Sequence, residues 1–420
     1  MPLKYLKLGN LTSIMGEYQK IHIWEFPLDR TFIRLNDAFR KALFKKAIKR
    51  LGSEYNLIDR LNRSSLKYGL KRSHSRLSIY SWIKGGKYYK GKNKAVNVPL
   101  WALIEISKIN EISSPREIER NVIYYTSRGK SNRIYKPKLP LKLTPELVSI
   151  IFNFCGDGHI ADKGKVSSYK QINKEGLNNF LGRLRNIFGE FDFSKNEFKD
   201  GRLNVPKIVS DFYVHYFGLE DTGTFSARIP NQVKRMPKEF LLAGLCAFIV
   251  DEGNVTEIIE IYSKNLNLLK DIREIAMACG YKCNPIREKI ARGELDSYRF
   301  NISSESYLVL YKDIIKLSQK FPKCNLAQKM NNLKIIVKRK NKKRIITKKG
   351  ITKHKILELL SQKERTIFEL ATTLNLSHST IREHLWKLRD AGRIISKCRK
   401  RDLLWYLNKF TQLSLSSQVF

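Results

Sequence analysis

Two stretches of this chain repeat one pattern that strongly restricts how the chain can fold. Each is an apolar helix without charge until its last turn, where a carboxylate precedes a glycine and a strand begins. They are residues 147–160, with Asp157-Gly158, and residues 241–255, with Glu252-Gly253. A carboxylate at a helix C-terminus is unfavourable because it meets the negative end of the helix dipole. Two such helices packed together would bring Asp157 and Glu252 to one place, where a hard divalent cation would offset the repulsion.

The segments after each motif follow one succession of elements. A strand-like stretch and a helix ending at a glycine come first, over residues 165–189 and 254–280. Alternating polar and apolar segments then predict two further strands in each copy, over residues 191–198 with 202–205 and 282–290 with 297–302. Another helix follows. The sequence therefore predicts an α+β fold in which the unit αββαββα occurs twice, as repeat 1 over 143–240 and repeat 2 over 241–337.

The charge of the chain indicates its partner. There are 80 Lys and Arg against 39 Asp and Glu, a net charge of +41, with a pI near 10.0. An excess of this size, spread along most of the chain, favours DNA or RNA as the partner. No signal-peptide core and no long uncharged run is present, so we expect a cytoplasmic protein without a membrane partner. With Met1-Pro2 at the start and no terminal His-Asn, self-splicing is not expected.

The N-terminal third is predicted in three pieces. Residues 1–36 carry weak signals and are expected to be an adapter or partly disordered. Residues 37–110 have helical periodicity, and 75–86 resemble the second helix of a repressor-type helix-turn-helix. A plain three-helix bundle with a basic surface fits the same residues. Residues 111–142, with three prolines, are predicted to be a linker.

The C-terminal part is predicted to be a winged helix over 351–410, after a basic linker over 338–350. Three helices precede Gly392, and two strands enclose a basic turn. The residues predicted to contact DNA are His378, Ser379, Thr380, Arg382 and Lys387 on the third helix, and Lys397, Arg399, Lys400 and Arg401 in the wing.

The paired motifs resemble the LAGLIDADG homing endonuclease family in its single-chain form, over residues 143–337. The resemblance implies that the two motif helices pack at the domain centre and that the sheets form a saddle in the DNA major groove. It also implies that Asp157 and Glu252 bind a divalent cation such as Mg²⁺. The saddle residues expected to contact DNA are Lys165, Lys170, Lys282, Arg287, Lys289 and Arg299.

The family also places a basic residue near the phosphates that are cut. By its position after the second copy, Lys329 is the first candidate for this catalytic role and Lys323 the alternative. Arg228 is the counterpart from the first copy. The chain departs from the family at Phe152 and its neighbours, where small residues usually allow close helix packing. Asp251, beside the second acid, either supports the metal site or is an exposed group.

These observations leave three functions open. The first is a sequence-specific, Mg²⁺-dependent DNA endonuclease of homing type that acts as a monomer on both strands. The second is a DNA-binding transcriptional regulator that kept the scaffold and lost cleavage, an arrangement known from one bacterial family of sporulation regulators. The third is an RNA partner, in RNA processing or intron splicing.

Overall fold

The computed structural model describes residues 18–68, 70, 76–89, 92–127, 132–161, 166–219, 221–291, 294–341, 351–399 and 402–408. Lys165, Lys400, Arg401 and most of the predicted linker 338–350 lie outside these residues. The chain divides into two compact units. The first holds the described residues of 1–254 and 260–330, and the second holds those of 255–259 and 331–420.

The N-terminal part of the first unit mixes short strands with five helices among its described residues. In chain order the elements are β1 Lys20–Ile21, β2 Thr31–Leu35, α1 Asp37–Leu51, α2 Glu54–Lys67, α3 Arg76–Lys84, β3 Gly86–Tyr89, β4 Lys92–Ala95, β5 Val98–Pro99, α4 Leu100–Ile109, α5 Arg116–Glu119, β6 Val122–Ser127, β7 Ile134–Tyr135 and β8 Leu141–Lys142.

A four-stranded sheet of order β5-β2-β6-β7 organises this region. Strand β2 pairs with both β5 and β6, and its alternate residues Thr31, Ile33 and Leu35 are buried. The predicted linker over 111–142 is therefore wrong, because that segment supplies a central strand of this sheet. The weak signals of residues 1–36 likewise concealed β2, which pairs with a strand about 90 residues later.

Helices α1 to α4 pack around the apolar side chains predicted to face a core. Asn36 accepts hydrogen bonds from the backbone amides of Ala38 and Phe39 and so begins α1. Gly52, at φ +84°, ends it. Leu43, Phe44 and Ala47 are buried.

The next part of the chain contains the first motif. Its elements are α6 Pro145–Cys155, β9 Gly158–His159, β10 Ser168–Lys170, α7 Lys174–Phe188, α8 Lys195–Lys199, β11 Arg202–Asn204, α9 Lys207–Phe217 and α10 Asn231–Lys234. The sheet has three strands in the order β11-β10-β9. The strand expected over 191–198 is wrong, because Ser194 caps the short helix α8 there instead.

The second motif is followed by a fuller set of elements. These are α11 Lys238–Glu252, β12 Gly253–Val255, β13 Ile259–Ser263, α12 Leu266–Ala278, β14 Arg287–Ala291, β15 Glu294–Ile302, α13 Tyr307–Lys320 and α14 Met330–Asn341. The four strands form a sheet of order β12-β13-β15-β14.

The motif helices α6 and α11 lie against each other, with their C-terminal ends together. Phe152 stands where small residues were expected to allow close helix packing. Its ring occupies the space beside Gly244 of α11, where any added Cβ would collide with the ring. Both helices are almost wholly buried. The bulk on one helix is thus matched by a missing side chain on the other.

The second unit contains the C-terminal elements α15 Ile351–Gln362, β16 Arg365–Thr366, α16 Ile367–Leu374, α17 His378–Asp390, β17 Ile394–Arg399 and β18 Asp402–Leu407. The sheet order is β16-β18-β17. Its core is formed by Ile356, Leu370, Ile381, Leu385 and Trp405, among other apolar residues. Residues 338–341, predicted to lie in a linker, are the last turn of α14. Among the described helices of both units, none has the length and apolar character to cross a membrane.

Candidate metal and nucleic-acid site

The two predicted acids lie at the adjoining ends of α6 and α11. Gly156 ends α6, and Asp157 follows it before β9 begins. Glu252 is the last residue of α11, and Gly253 begins β12. Both chain turns need glycine, because a Cβ at Gly158 would lie 2.6 Å from the carbonyl oxygen of Asn153, and one at Gly253 would lie 2.6 Å from that of Ile249. The glycine after each acid therefore permits the sharp exit from the helix.

A third carboxylate, that of Asp251, lies between these helix ends. The hydroxyl of Tyr169 donates to Asp251 at 2.6 Å, and the side-chain amide of Asn153 donates to it at 2.9 Å. Gln171 donates to Asp157 at 3.0 Å and to Asp251 at 3.4 Å. Asp251 is therefore neither alone nor an exposed group, because it is held in a hydrogen-bond network that also reaches the first acid.

The network continues into the core through a buried arginine. Arg183 of α7 donates to the side-chain oxygen of Asn153 at 2.7 Å and also to the hydroxyl of Ser149. Arg183 is 4% exposed, so its charge is poorly screened by water. It thus orients the Asn153 amide toward Asp251. The sequence analysis missed this network, although the polar residues Ser149 and Asn153 recur four apart in an otherwise apolar helix.

All three carboxyl groups have raised pKa values. Burial is the largest cause for each. The pKa of Asp157 rises to about 8, with further contributions from the charges of Asp251 and Glu252. The pKa of Glu252 rises to about 7, also through Asp251. The pKa of Asp251 rises only to about 6, because the hydrogen bonds from Tyr169 and Asn153 favour its charged form. The surroundings of these three carboxyl groups therefore favour the protonated, neutral form of each.

The donor set suits a hard divalent cation. Within the described parts of the chain, no three His, Cys, Asp or Glu side chains are arranged to hold a metal ion by themselves. Mg²⁺ does not require such a cage, because it is commonly held by one or two carboxylates together with water and substrate phosphate oxygens. Asp157 and Glu252 can supply the two carboxylates, and a bound cation would relieve the repulsion that raises their pKa values.

Lys329 lies beside the acids, but its ammonium group is fully engaged. It donates to the backbone carbonyls of Ile249, Val250 and Gly253 at 2.8, 2.6 and 2.6 Å. Burial lowers its pKa, and the three nearby carboxylates oppose that effect in part. The ammonium group of Lys329 therefore caps the C-terminus of α11, and its charge lowers the pKa of Asp157 and Glu252.

The charged groups of the other two basic candidates, Arg228 and Lys323, do not lie beside the acids. Arg228 makes two hydrogen bonds, of 2.7 and 2.8 Å, to Asp271 of α12. Burial alone would raise the pKa of Asp271, but the hydrogen bonds from Arg228 and Lys234 hold it below its usual value. Lys323 packs against Gly182 of α7 and influences Glu146 in the first turn of α6. Glu146 lies about 16 Å from Asp157 along the helix axis. The thiol of Cys155, at the end of α6, lies 3.8 Å from the backbone carbonyl oxygen of Arg228, but the guanidinium of Arg228 is bound to Asp271. Lys323 lies near the start of α6, away from the acids.

Three of the six predicted saddle residues, Arg287, Lys289 and Arg299, lie on the second sheet. Arg287 pairs with Arg299 across β14 and β15, and Lys289 pairs with Ser297, so these side chains share one face. Arg299 also forms an ion pair with Glu260 at 3.0 Å, and Lys289 does so with Asp296 at 3.0 Å. Lys282 precedes β14 and pairs with Glu305.

A tyrosine links this face to the acids. Burial and then the charges of Glu252 and Asp157 raise the pKa of Tyr262 on β13, while Lys289 lowers it. Tyr262 therefore lies close enough to both the two acids and Lys289 for their charges to change its pKa.

The first sheet carries a smaller exposed basic set. Lys170 of β10 pairs with Arg202 of β11, and both are exposed. The charge of Lys170 lowers the pKa of Asp157, so this lysine is close to the acid pair. Arg202 was missed from the sequence because its strand is only three residues long.

Helix α17 of the second unit carries the residues predicted to contact DNA. Ser379 and Arg382 are exposed on it, and Lys387 is exposed but paired with Glu383 at 2.6 Å. Thr380 is part of the helix start, since its backbone amide donates to Ser377 at 3.0 Å. His378 is half-buried against Phe368, and burial lowers its pKa.

Two aromatic and basic side chains of this unit were not predicted. Trp386 is 39% exposed, and the guanidinium of Arg389 lies 3.7 Å from the centre of its ring. In the wing, Lys397 is exposed on β17, and Arg399 ends that strand opposite Asp402. Trp386 and Arg389 could have been found from the exposed positions of the helix stripe.

Comparisons with known proteins identify this domain. Residues 352–396 match the family model described as bacterial regulatory protein, arsR family. No curated protein matches the chain.

Three solved structures resemble parts of the chain. A mutant of ZitR from Lactococcus lactis is 24% identical, with 20% of this chain and 66% of that chain covered and a TM-score of 0.16. Mesophilic variants from the homing endonuclease I-DmoI are 19% identical, with 41% of this chain and 96% of that chain covered and a TM-score of 0.28. Full-length DUF199/WhiA from Thermatoga maritima is 13% identical, with 61% of this chain and 94% of that chain covered and a TM-score of 0.28. These TM-scores are too low to carry an argument about function. The match over 352–396 shows an arsR-type helix-turn-helix at the C-terminal end of the chain, which indicates DNA binding.

Proposed function

We propose that this protein is a divalent-metal-dependent DNA endonuclease of the LAGLIDADG homing type. In this proposal α6 and α11 are the paired motif helices of a duplicated core, and Asp157 and Glu252 hold the metal against the phosphates to be cut. The arsR-type helix-turn-helix adds a second contact with double-stranded DNA. Because one chain carries both motif helices, we propose that it acts as a monomer.

The observation that carries the proposal is the convergence of two helix-ending acids on one buried point. Stability alone does not explain it, because burial and the charge of Asp251 raise the pKa of Asp157 to about 8 and that of Glu252 to about 7. Perturbed carboxyl groups that also lie close to a basic surface are typical of functional sites. The basic face of β14 and β15 provides that surface.

Each residue of the site has a distinct part. When bound, Mg²⁺ would supply an activated water and neutralise charge on the phosphate oxygens. Asp157 and Glu252 would hold the cation, and Gln171 orients the Asp157 carboxylate through its 3.0 Å hydrogen bond. Asp251 adds negative charge to the site without being free to turn, because Tyr169 and Asn153 fix it. Lys329 acts through its charge and through the end of α11.

Cleavage of a randomised DNA library with and without Mg²⁺ tests the proposal. We expect cuts only with the metal, and we expect Asp157→Asn and Glu252→Gln each to lower the rate by roughly 10²–10³-fold or more. Duplex affinity in the absence of metal should change by only a few-fold. Asp200→Asn and Glu274→Gln, at exposed acids, are matched controls. Cleavage by either site variant at the wild-type rate would show that the metal assignment is wrong.

A specific observation favours the second candidate, a DNA-binding regulator without cleavage. Both basic residues expected near the cut phosphates are engaged, Lys329 with three carbonyls and Arg228 with Asp271. A regulator would bind selected duplexes with equal affinity in EDTA and Mg²⁺ and leave them intact. An RNA-directed role would instead appear as preference for an RNA duplex over DNA of the same sequence.

A further inference from the structure

A second surface with the chemistry of a DNA-reading site lies on helix α3 in the first unit. Ile79 and Trp82 are buried and fix which way the helix faces. Arg76, Leu77, Tyr80 and Lys84 are exposed, and at 3.6 residues per turn they fall within an arc of about 100°. Leu77 is 76% exposed and Tyr80 is 43% exposed, which is unusual for large apolar side chains sharing one helix face.

Two arginines hold the C-terminal end of α3 in place. Arg40 of α1 is 1% exposed and donates to the carbonyls of Trp82 at 3.0 Å and Lys84 at 3.1 Å, and also to that of Ile83. Arg34 of β2 donates to the carbonyl of Gly85 at 2.6 Å.

The buried guanidinium also explains the glycine after the helix. A side chain at Gly85, where φ is +73°, would collide with Arg40. Burying a guanidinium is unfavourable unless its hydrogen bonds are satisfied, and here it is paired with backbone carbonyls. It satisfies the carbonyls that a helix end leaves unpaired and fixes a nine-residue helix against the bundle.

A basic hairpin follows directly. Strands β3 and β4 pair in a register that sets Lys87 opposite Lys94 and Tyr89 opposite Lys92. Residues 37–110 as a whole contain 18 Lys and Arg against four Asp and Glu.

The succession of elements is similar to that of the C-terminal domain of the same chain, except that strand β16 has no counterpart between α1 and α2. There, α15, α16 and α17 are followed by the β17–β18 hairpin, and here α1, α2 and α3 are followed by the β3–β4 hairpin. In winged helices the third helix enters the major groove and the hairpin contacts the flanking backbone.

We infer that the exposed face of helix α3 is a second binding site for double-stranded DNA. Leu77 and Tyr80 contact base edges in the major groove, where the thymine methyl group offers an apolar surface. Arg76 and Lys84 contact phosphates on either side. This inference rests on the DNA-binding part of the proposed function but not on cleavage.

The test measures binding of the full-length protein to a mixed-sequence 30-bp DNA duplex in EDTA, over a range of salt concentrations. The test variant is Arg76→Ala with Lys84→Ala. The matched control is Lys41→Ala with Lys49→Ala, two exposed lysines eight residues apart on α1. We expect the test variant to weaken binding roughly tenfold or more at 0.1 M salt, and to make the slope of log K against log salt shallower by about 1.8. The control should stay within about twofold, and thermal unfolding should be the same for both.

A second variant, Leu77→Ala with Tyr80→Ala, tests base contact. On duplexes enriched from a randomised library by the wild type, it should lose roughly tenfold in preference over scrambled duplexes, with little change in salt slope. Equal losses in the α1 control would overturn the inference. So would an effect confined to an RNA duplex, or dissociation of a protein dimer with DNA affinity unchanged. Because no divalent cation is present, absence of cleavage would leave these results unaffected.

Discussion

The raised pKa values of the paired acids predict how stability depends on pH. An acid whose pKa is higher in the folded protein than in the unfolded chain stabilises the fold when protonated. That stability is fully present below the unfolded pKa and is lost as pH rises toward the folded pKa. Asp157 changes from its ordinary 3.8 to about 8, so it binds one extra proton across the range between them. The consequence is a loss of about 1.4 kcal/mol per pH unit.

Asp157→Asn isolates this effect. Between pH 5 and pH 7 the wild type should lose roughly 3 kcal/mol of stability relative to the variant, because the amide does not titrate. Asp251 and Glu252 also have pKa values raised mainly by burial, but both residues are present in both proteins. His215 has a pKa lowered by partial burial and changes stability in the opposite sense, but it is present in both proteins and its effect cancels.

The measurement is a urea titration of both proteins at pH 5, 6 and 7, first in EDTA and then in Mg²⁺. Mg²⁺ at about 100 times its dissociation constant should stabilise the wild type by about 2.7 kcal/mol at pH 7, much less at pH 5, and the variant hardly at all. Asp200→Asn, at an exposed acid, should follow the wild type throughout. Parallel curves for the wild type and Asp157→Asn in EDTA would refute the reasoning from burial. Equal stabilisation of the two proteins by Mg²⁺ would refute the cation site.

Three further outcomes are expected. In calorimetry, Gly244→Ala should destabilise the protein by about 1–2 kcal/mol despite the better helix propensity of alanine, since the added Cβ meets the Phe152 ring. Adding Phe152→Leu should relieve this loss. Gly182→Ala should not destabilise the protein, because its Cβ meets only the flexible Lys323 side chain. Lys329→Met should cost about 3 kcal/mol or more in urea titrations, because three carbonyls lose their donor, whereas a lysine with a purely catalytic role would leave stability unchanged. The slope of log K for duplex DNA against log salt should be near −9 for about ten neutralised phosphates, and a slope shallower than about −3 would show that most of the charge of +41 does not meet DNA.

Sequence periodicity located the elements whose partners are close in the chain or whose pattern is strong. Helices α6 and α11 were evident because long apolar runs end in an acid and a glycine, and the fold brings Asp157 and Glu252 together. The three C-terminal helices before Gly392 were predicted as well, and Ser377 caps the last of them. Strand β2 was not, because its burial comes from pairing with β6, a contact that no local pattern encodes.

The functional side chains divide in the same way. The position of Lys329 near the second motif was predicted, but its three carbonyl partners lie 76 to 80 residues away in the chain. Arg228 was assigned by analogy with the first copy, and only the fold shows that Asp271 binds it. The chain encodes the type of a residue locally, whereas its partner depends on tertiary packing.

The sheet of β2 and β6 has a consequence for where the protein would act along DNA. Hydrogen bonds from the N-terminal region reach the helices around the acids, for example from Tyr125 to the carbonyl of Phe188 and from Ser127 to Asp211. Helix α3 and the acid pair therefore belong to one compact unit. Under the proposed function, this unit would set the spacing between the bases that α3 contacts and the phosphates at the acids. Inserting one base pair between the sequence read by α3 and the phosphates at the acids would move the target by about 3.4 Å and turn it by about 34°. Under the proposed function, the number of base pairs between the sequence bound by α3 and the cleaved phosphates would therefore be set by the distance between α3 and the acids.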